Sequence, residues 1–165
     1  MLVSARSLKW LLRFYPPLFL QRIWVVKIDR GFKAMQVKIS RSLFNLNYNR
    51  SIFGGTIFSA ADVCYPVLFH QLLSHNGYKV AVWSRSAHVH FIKKSSSKIS
   101  FVVSLSNEEI DDALLSLHQL GRYNKAYPIN IYNDNGDLCA NITCEVYVRD
   151  LNYIKTTSEE SIHKR

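Results

Sequence analysis

The chain has 165 residues, of which 48% are hydrophobic, 13% aromatic and 20% charged. That length buries one core and is short for two ordinary domains, and the composition excludes a disordered chain. The net charge of +9 is unevenly placed: residues 1–50 hold ten Lys and Arg against Asp29 alone, and the remainder is neutral.

A basic first third beside aromatic side chains attracts an anionic partner: a coenzyme A phosphate, an acidic carrier protein, a membrane surface or nucleic acid. A solvated basic face accounts for the same charge. Peripheral membrane contact through this region is therefore one expectation. Specific nucleic-acid binding is not expected, because no reader motif accompanies the charge. Three cysteines without regular spacing argue against a disulfide framework and for a reducing compartment. Cys139 and Cys144 lie an odd number of residues apart in a predicted strand, so their side chains point to opposite faces and do not readily share an ion. No metal and no cofactor is expected, and Cys64, inside an apolar helix, reads as a buried inert thiol.

Taken in chain order, Ser4 to Tyr15 has helical apolar spacing at Leu8, Leu11, Leu12 and Tyr15, and Pro16-Pro17 ends it and starts a second short helix through about Arg22. Lys9, Arg13, Arg22 and the double proline rule out a membrane-spanning helix and a secretory signal here, which makes the cytoplasm the expected location. Ile23 to Ile28 and Phe32 to Ser40 read as strands about the Asp29-Arg30-Gly31 turn. After a polar loop, Ile57 to Leu73 is apolar nearly all round, so it predicts a helix buried on every side. Val80 to Lys93, Lys98 to Leu105, Tyr123 to Tyr132 and Leu138 to Arg149 read as strands. Asn107 to Leu120 reads as a surface helix with a capping box at Ser106 or Asn107. The expected organisation is a helical segment at 1–22, one domain at 23–150 and a flexible tail at 151–165. The pattern predicts an α+β fold in which a strongly curved antiparallel sheet wraps a long central helix, with sheets paired edge to edge in a dimer.

Asp62 is the one residue charged at neutral pH between Ile57 and Phe69, and a buried carboxylate without partners costs several kcal/mol. It is either a structural acid held by a neighbouring donor or a general base facing a cleft between subunits. Pro66 offers no N–H to the carbonyl of Asp62, which predicts a kink. Gly54 and Gly55 precede the helix, where free amides at the positive end of the dipole suit a thioester carbonyl becoming an oxyanion. Two glycines before a helix are also a common turn. Their spacing to Asn47, Asn49, Thr56 and Asp62 strengthens the catalytic reading. Arg85, His90, Lys93, Lys94 and Lys98 lie along one strand and its following loop, placed for coenzyme A phosphates or for a basic edge that discourages aggregation. His88 and His90 read as ordinary polar-face residues, and His70 and His75 as the polar end of the central helix.

The stretch Asn45-Leu-Asn-Tyr-Asn-Arg-Ser-Ile-Phe-Gly-Gly-Thr-Ile-Phe-Ser-Ala-Ala-Asp62, followed by Tyr78 to Phe91, resembles the thioesterase-like family of hotdog-fold proteins first described as a domain of unknown function. Some of its members are labelled tetrameric acyl-CoA thioesterases, and it is related to the phenylacetate-type thioesterases. The resemblance runs from about Phe14 to Arg149. It implies the hotdog fold, a homodimer or homotetramer, and hydrolysis of acyl thioesters of coenzyme A or acyl-carrier protein. By that resemblance Asp62 activates water and Gly54 and Gly55 polarise the carbonyl; in the hydrolase reading of the residues Asn47 orients substrate or acid. Thr56, Asn49, Arg85, His90, Lys93 and Lys94 then bind substrate. The chain departs from the pattern at Phe53, where the related enzymes have His, and at Arg50-Ser51, Val63 and Ser84. Those departures keep a second function open, a non-catalytic acyl-binding or regulatory module.

Overall fold

The computed structural model describes residues 2–154. Two helices, α1 (Ala5–Phe14) and α2 (Pro16–Leu20), lead into strands β1 (Ile23–Ile28) and β2 (Ala34–Ile39). Helices α3 (Gly54–Asp62) and α4 (Cys64–His75) follow, then β3 (Val80–Phe91), β4 (Ile99–Ser104), α5 (Asn107–Leu120), β5 (Arg122–Asn133) and β6 (Leu138–Asp150). Among the described residues no helix is long and apolar enough to cross a membrane. The part of the expected tail from Lys155 onward lies outside the described residues. Ahead of it, Leu151 N–H donates to the Lys79 carbonyl and the Tyr153 hydroxyl to the Gln119 carbonyl.

Each element has a local cause. Ser4 caps α1 by accepting from the Ser7 amide, and Tyr15, extended, ends it before the two prolines that open α2. Ser106 is the cap of α5, with Glu109 completing the capping box that the spacing predicts. The 54–75 helical run is broken at Val63, one residue after Asp62. Pro66 supplies no donor to the Asp62 carbonyl, and the Ser84 hydroxyl on β3 donates to it instead at 3.4 Å, a long contact that marks the break.

All strands pair antiparallel in one six-stranded sheet of order β1-β2-β4-β5-β6-β3. Its inner face is an apolar layer from every strand, including Val25, Val37, Phe101, Ile129, Ile142 and Val146. Against it pack Ile57, Ala60, Cys64, Leu68 and Phe69 of α3 and α4. Tyr65 stacks on Tyr127 at 4.4 Å, Phe69 lies against both Tyr123 and Tyr127, and those two hydroxyls bond each other at 2.8 Å.

The expected sheet, strongly curved and wrapped around a long central helix, is not what forms. The sheet is open, with β1 and β3 as free edges, and it lies against one side of the broken helix. Enclosing a helix requires a continuous ladder to carry the curl. Here β4 and β5 share only the pairs Ile99↔Asn133 and Ser100↔Tyr132, so the ladder between β1-β2-β4 and β5-β6-β3 is short. The outward stripe of the helix, at Phe58, Asp62, Val63, Pro66, Val67 and His70, is left half-buried.

Cys64 is buried, and its thiol donates to the Ala60 carbonyl at 3.1 Å. Burial, then the neighbouring Cys144 and Asp62, push the Cys64 thiol far up, which makes it inert. Burial first and Asp62 second push Cys144 from an ordinary 9.0 up to about 11. A group whose pKa is raised in the folded state stabilises fully below its unfolded value and loses that contribution as pH rises toward the folded one. The Cys144 contribution to the thermal midpoint should therefore be constant below pH 9 and be lost between pH 9 and about 11, so that Cys144→Ala flattens the first part of the alkaline fall in calorimetric scans.

Candidate functional site

A cavity of about 520 Å³ lies at the N-terminus of α3. One wall is the 47–54 segment and the other is the end of β3 with the loop after it, from Phe91 to Ser95. The 47–51 loop is organised by Asn47, whose Oδ1 accepts from the Asn49 amide at 2.9 Å and from the Ser51 amide and hydroxyl at 3.1 Å each. That fixes the side-chain amide orientation and leaves its NH₂ group as the donor for a ligand. Asn45, buried behind the loop, donates to the Gln21 and Ser40 carbonyls at 2.8 Å and so anchors it to the sheet.

Phe53 caps α3 in an extended conformation without a side-chain hydrogen bond. Its carbonyl accepts from Thr56 and Ile57, and its own amide donates to Asn45. The amides of Gly54 and Gly55 have no acceptor among the described residues, so two donors stand free at the positive end of the helix. At both positions a side chain would have to displace an aromatic ring. A Cβ at Gly54 would lie 2.7 Å from the Phe91 ring, and one at Gly55 would lie 2.4 Å from the Phe53 ring. The two exposed rings therefore sit directly on the peptide that carries the free amides.

The structure brings Asn47, Asn49, Gly54, Lys93 and Lys94 to this one cavity. Lys93 is paired with Asp137 at 2.6 Å, whereas Lys94 has no ion pair among the described residues. Gly55 lies one residue deeper, and Thr56 is buried, its amide taken by Phe53. His90 and Arg85 are elsewhere. The β3–β6 register shifts between Ser84 and Ser86, which makes Arg85 a bulge and sets the parity of everything after it. Phe91 pairs with buried Ala140 and faces inward over Gly54, while His90 pairs with Asn141 on the outer face. Arg85 borders a separate outer-face cavity with Asp112, Arg122 and Tyr147.

Asp62 sits at the opposite end of α3, half-buried, in a second cavity of about 400 Å³ bounded by Tyr15, Leu18 and Gln21 of the N-terminal segment, Pro66 of α4 and Trp83 and Ser84 of β3. No hydrogen bond or ion pair reaches its carboxylate among the described residues. At a rise of ~1.5 Å per residue, Gly54 and Asp62 are about 12 Å apart along the helix, too far for one thioester carbonyl to touch both.

Two residues at the Gly54 cavity, Phe91 and Ser95, carry no signal that the sequence pattern picks out, and a third, Phe53, is marked in the sequence only as a departure from the family pattern. Phe91 faces inward only because of the bulge at Arg85. Ser95, in a polar run, is buried with a hydroxyl that finds no partner among the described residues, and its carbonyl accepts from the Ile52 amide. Phe53 is an exposed aromatic whose role comes from the ring's position over Gly55.

Comparison with known proteins places this geometry. The model of the domain of unknown function DUF4442 matches residues 5–148. No curated protein matches the chain. Among solved structures, a Pseudomonas aeruginosa protein described as a probable thioesterase superposes with a TM-score of 0.79 at 11% identity, over 91% of this chain and 98% of that one. A Haemophilus influenzae thioesterase gives 0.69 at 13% identity, over 94% and 96% of the two chains. The Escherichia coli PaaI protein of the phenylacetic acid degradation operon gives 0.59 at 14%, over 87% and 95%. At these identities the likeness establishes the fold, and the family match establishes membership. The chain belongs to the DUF4442 family and shares the fold of these solved structures.

Proposed function

We propose that this chain is an acyl thioester hydrolase whose active site is shared between two copies. The observation that carries the reading is the pair of unpartnered amides, Gly54 and Gly55, at the positive end of α3 beside a cavity rimmed by Lys94. Donors held in place before the reaction stabilise an oxyanion without reorganisation, which is what a thioester carbonyl requires under attack.

The base has to come from elsewhere, because Asp62 of the same helix is about 12 Å away. Two features favour a second copy as its source. β3 is a twelve-residue edge with no partner on its outer side among the described residues, and the half-buried helical stripe around Asp62, Val63 and Pro66 flanks that same edge. Pairing β3 with its copy extends the sheet and brings each Asp62 cavity toward the other subunit. Asp62 of the partner subunit then takes a proton from water as the water oxygen attacks the carbonyl carbon. The C–S bond breaks as the intermediate collapses, and the thiolate leaving group takes the proton from the Asp62 carboxyl, giving a carboxylic acid and a free thiol. Asn47 offers its NH₂ group to the substrate, with Asn49 beside it, and Lys94, together with Lys93, meets phosphate oxygens of coenzyme A or of a carrier-protein arm. Arg85 and His90, on the outer face, have no place in this step within one subunit.

A second reading, binding of acyl thioesters without turnover, is favoured by the Phe53 and Phe91 rings that lie on the glycine peptide and restrict approach to its amides. Thiol release from short, medium and long acyl-CoAs separates the two. Hydrolysis by the wild type that falls by about 10²–10⁴-fold in Asp62→Asn, with folding unchanged, supports the hydrolase. Saturable acyl-CoA binding with no release by either protein would assign the binding module instead.

The ring contacts generate a further prediction. Gly55→Ala forces the Phe53 ring aside and should destabilise the protein by about 1–3 kcal/mol in urea unfolding, as overpacking does. Much of that loss should be recovered in Gly55→Ala combined with Phe53→Ala, and an unrecovered loss would place the strain in the backbone.

A further inference from the structure

The outer face of α1 and α2 is two-sided in an unusual way. Leu8, Leu12 and Leu18 point into the core. On the other side Trp10, Leu11, Phe14, Tyr15, Phe19 and Leu20 are exposed, Phe14 by 67% and Leu20 by 59%. The rings form a continuous row: Trp10 to Phe14 at 6.0 Å, Phe14 to Phe19 at 6.3 Å and Phe19 to Trp24 at 5.9 Å. Cations are set into it. Lys9 lies 5.0 Å from the Trp10 ring, Arg13 lies between Trp10 and Trp24 at 5.1 and 5.5 Å, and Arg22 lies between Trp24 and Phe44 at 6.0 and 5.8 Å. Arg22 holds a left-handed backbone, φ 58°, that glycine would adopt more readily, so an arginine is kept there at a conformational cost. No acidic residue occurs before Asp29, while Arg6, Lys9, Arg13, Arg22 and Lys27 are all cationic.

We infer that this face docks onto an anionic lipid membrane. Aromatic rings settle at the depth of lipid headgroups, aliphatic side chains reach the acyl boundary, and Lys and Arg pair with lipid phosphates; this face offers all three in one layer. At ten residues, or about 15 Å, α1 is too short to cross and lies in the plane of the surface. A second copy is a poor occupant, because a two-fold contact would set these cations against their own copies with no acid to neutralise them. An acidic protein or nucleic acid answers the charge but leaves Leu11, Phe14 and Leu20 without an apolar partner. The inference goes beyond hydrolysis and does not depend on it. It gives the fold an orientation, since Tyr15, Pro17, Leu18 and Gln21 of the same segment also line the Asp62 cavity, which then opens beside the surface where long acyl chains partition.

The test is co-sedimentation of the full chain with vesicles of phosphatidylcholine alone and of phosphatidylcholine mixed with phosphatidylglycerol. The chain should pellet with the mixed vesicles, less so at high salt, and Leu11→Glu with Phe14→Glu should weaken that association at least about tenfold while circular dichroism and the thermal midpoint hold. Leu20→Glu, at the exposed end of α2, serves as a second variant should the first pair disturb folding. Absence of pelleting, equal pelleting without the anionic lipid, or binding indifferent to both variants overturns the proposal. Self-association, or capture of an acidic carrier protein or nucleic acid, that these variants abolish without any vesicle binding would also overturn it.

Discussion

A helical run that is apolar on nearly every side has to be covered on nearly every side, and that requirement organises the molecule. The 54–75 run buries Ile57, Ala60, Ala61, Cys64, Leu68, Phe69 and Leu72 against a six-stranded sheet. A sheet that stays open covers one side of such a helix and no more. The N-terminal segment helps, bringing Leu8, Leu12 and Leu18 into the same core, with the Val3 amide reaching Gln71 at 3.4 Å. The stripe from Phe58 through Val67 is then left beside the unpaired edge of β3, and that stripe holds Asp62. In the proposed hydrolase, a second copy would both finish covering the helix and bring a carboxylate to the thioester.

Local structure was legible in the chain, and long-range pairing was not. β-rich runs bounded by turn signals marked all six strands to within a few residues, and the Ser106 to Glu109 spacing marked the start of α5. Pro66 announced the break near Asp62, because a missing amide is a property of one residue type. Strand order could not be read, since it depends on contacts between distant segments. The short β4–β5 ladder is such a contact.

The same distinction governs the site. Asn47, Asn49, Gly54, Lys93 and Lys94 meet at one cavity because the loop before α3 and the loop after β3 face each other across it. His90, expected to bind substrate, faces outward and Phe91 inward because one inserted residue, Arg85, forms a bulge that sets the parity of the strand beyond it. Alternation alone does not reveal a bulge. Nor does it reveal that Asp62 and the glycines, close in sequence, are held apart by the rigidity of the helix they share.

The central claim is that the glycine amides and the carboxylate act from different subunits. Complementation between two inactive variants tests it most directly: Asp62→Asn and Gly55→Ala, or Gly54→Ala if the former does not fold, are mixed and allowed to exchange subunits. In a two-fold dimer each mixed pair rebuilds one complete site, so about a quarter of wild-type thiol release should return after random exchange. Mixed dimers demonstrated by mass that stay inactive would contradict the shared site and place the whole reaction within one chain.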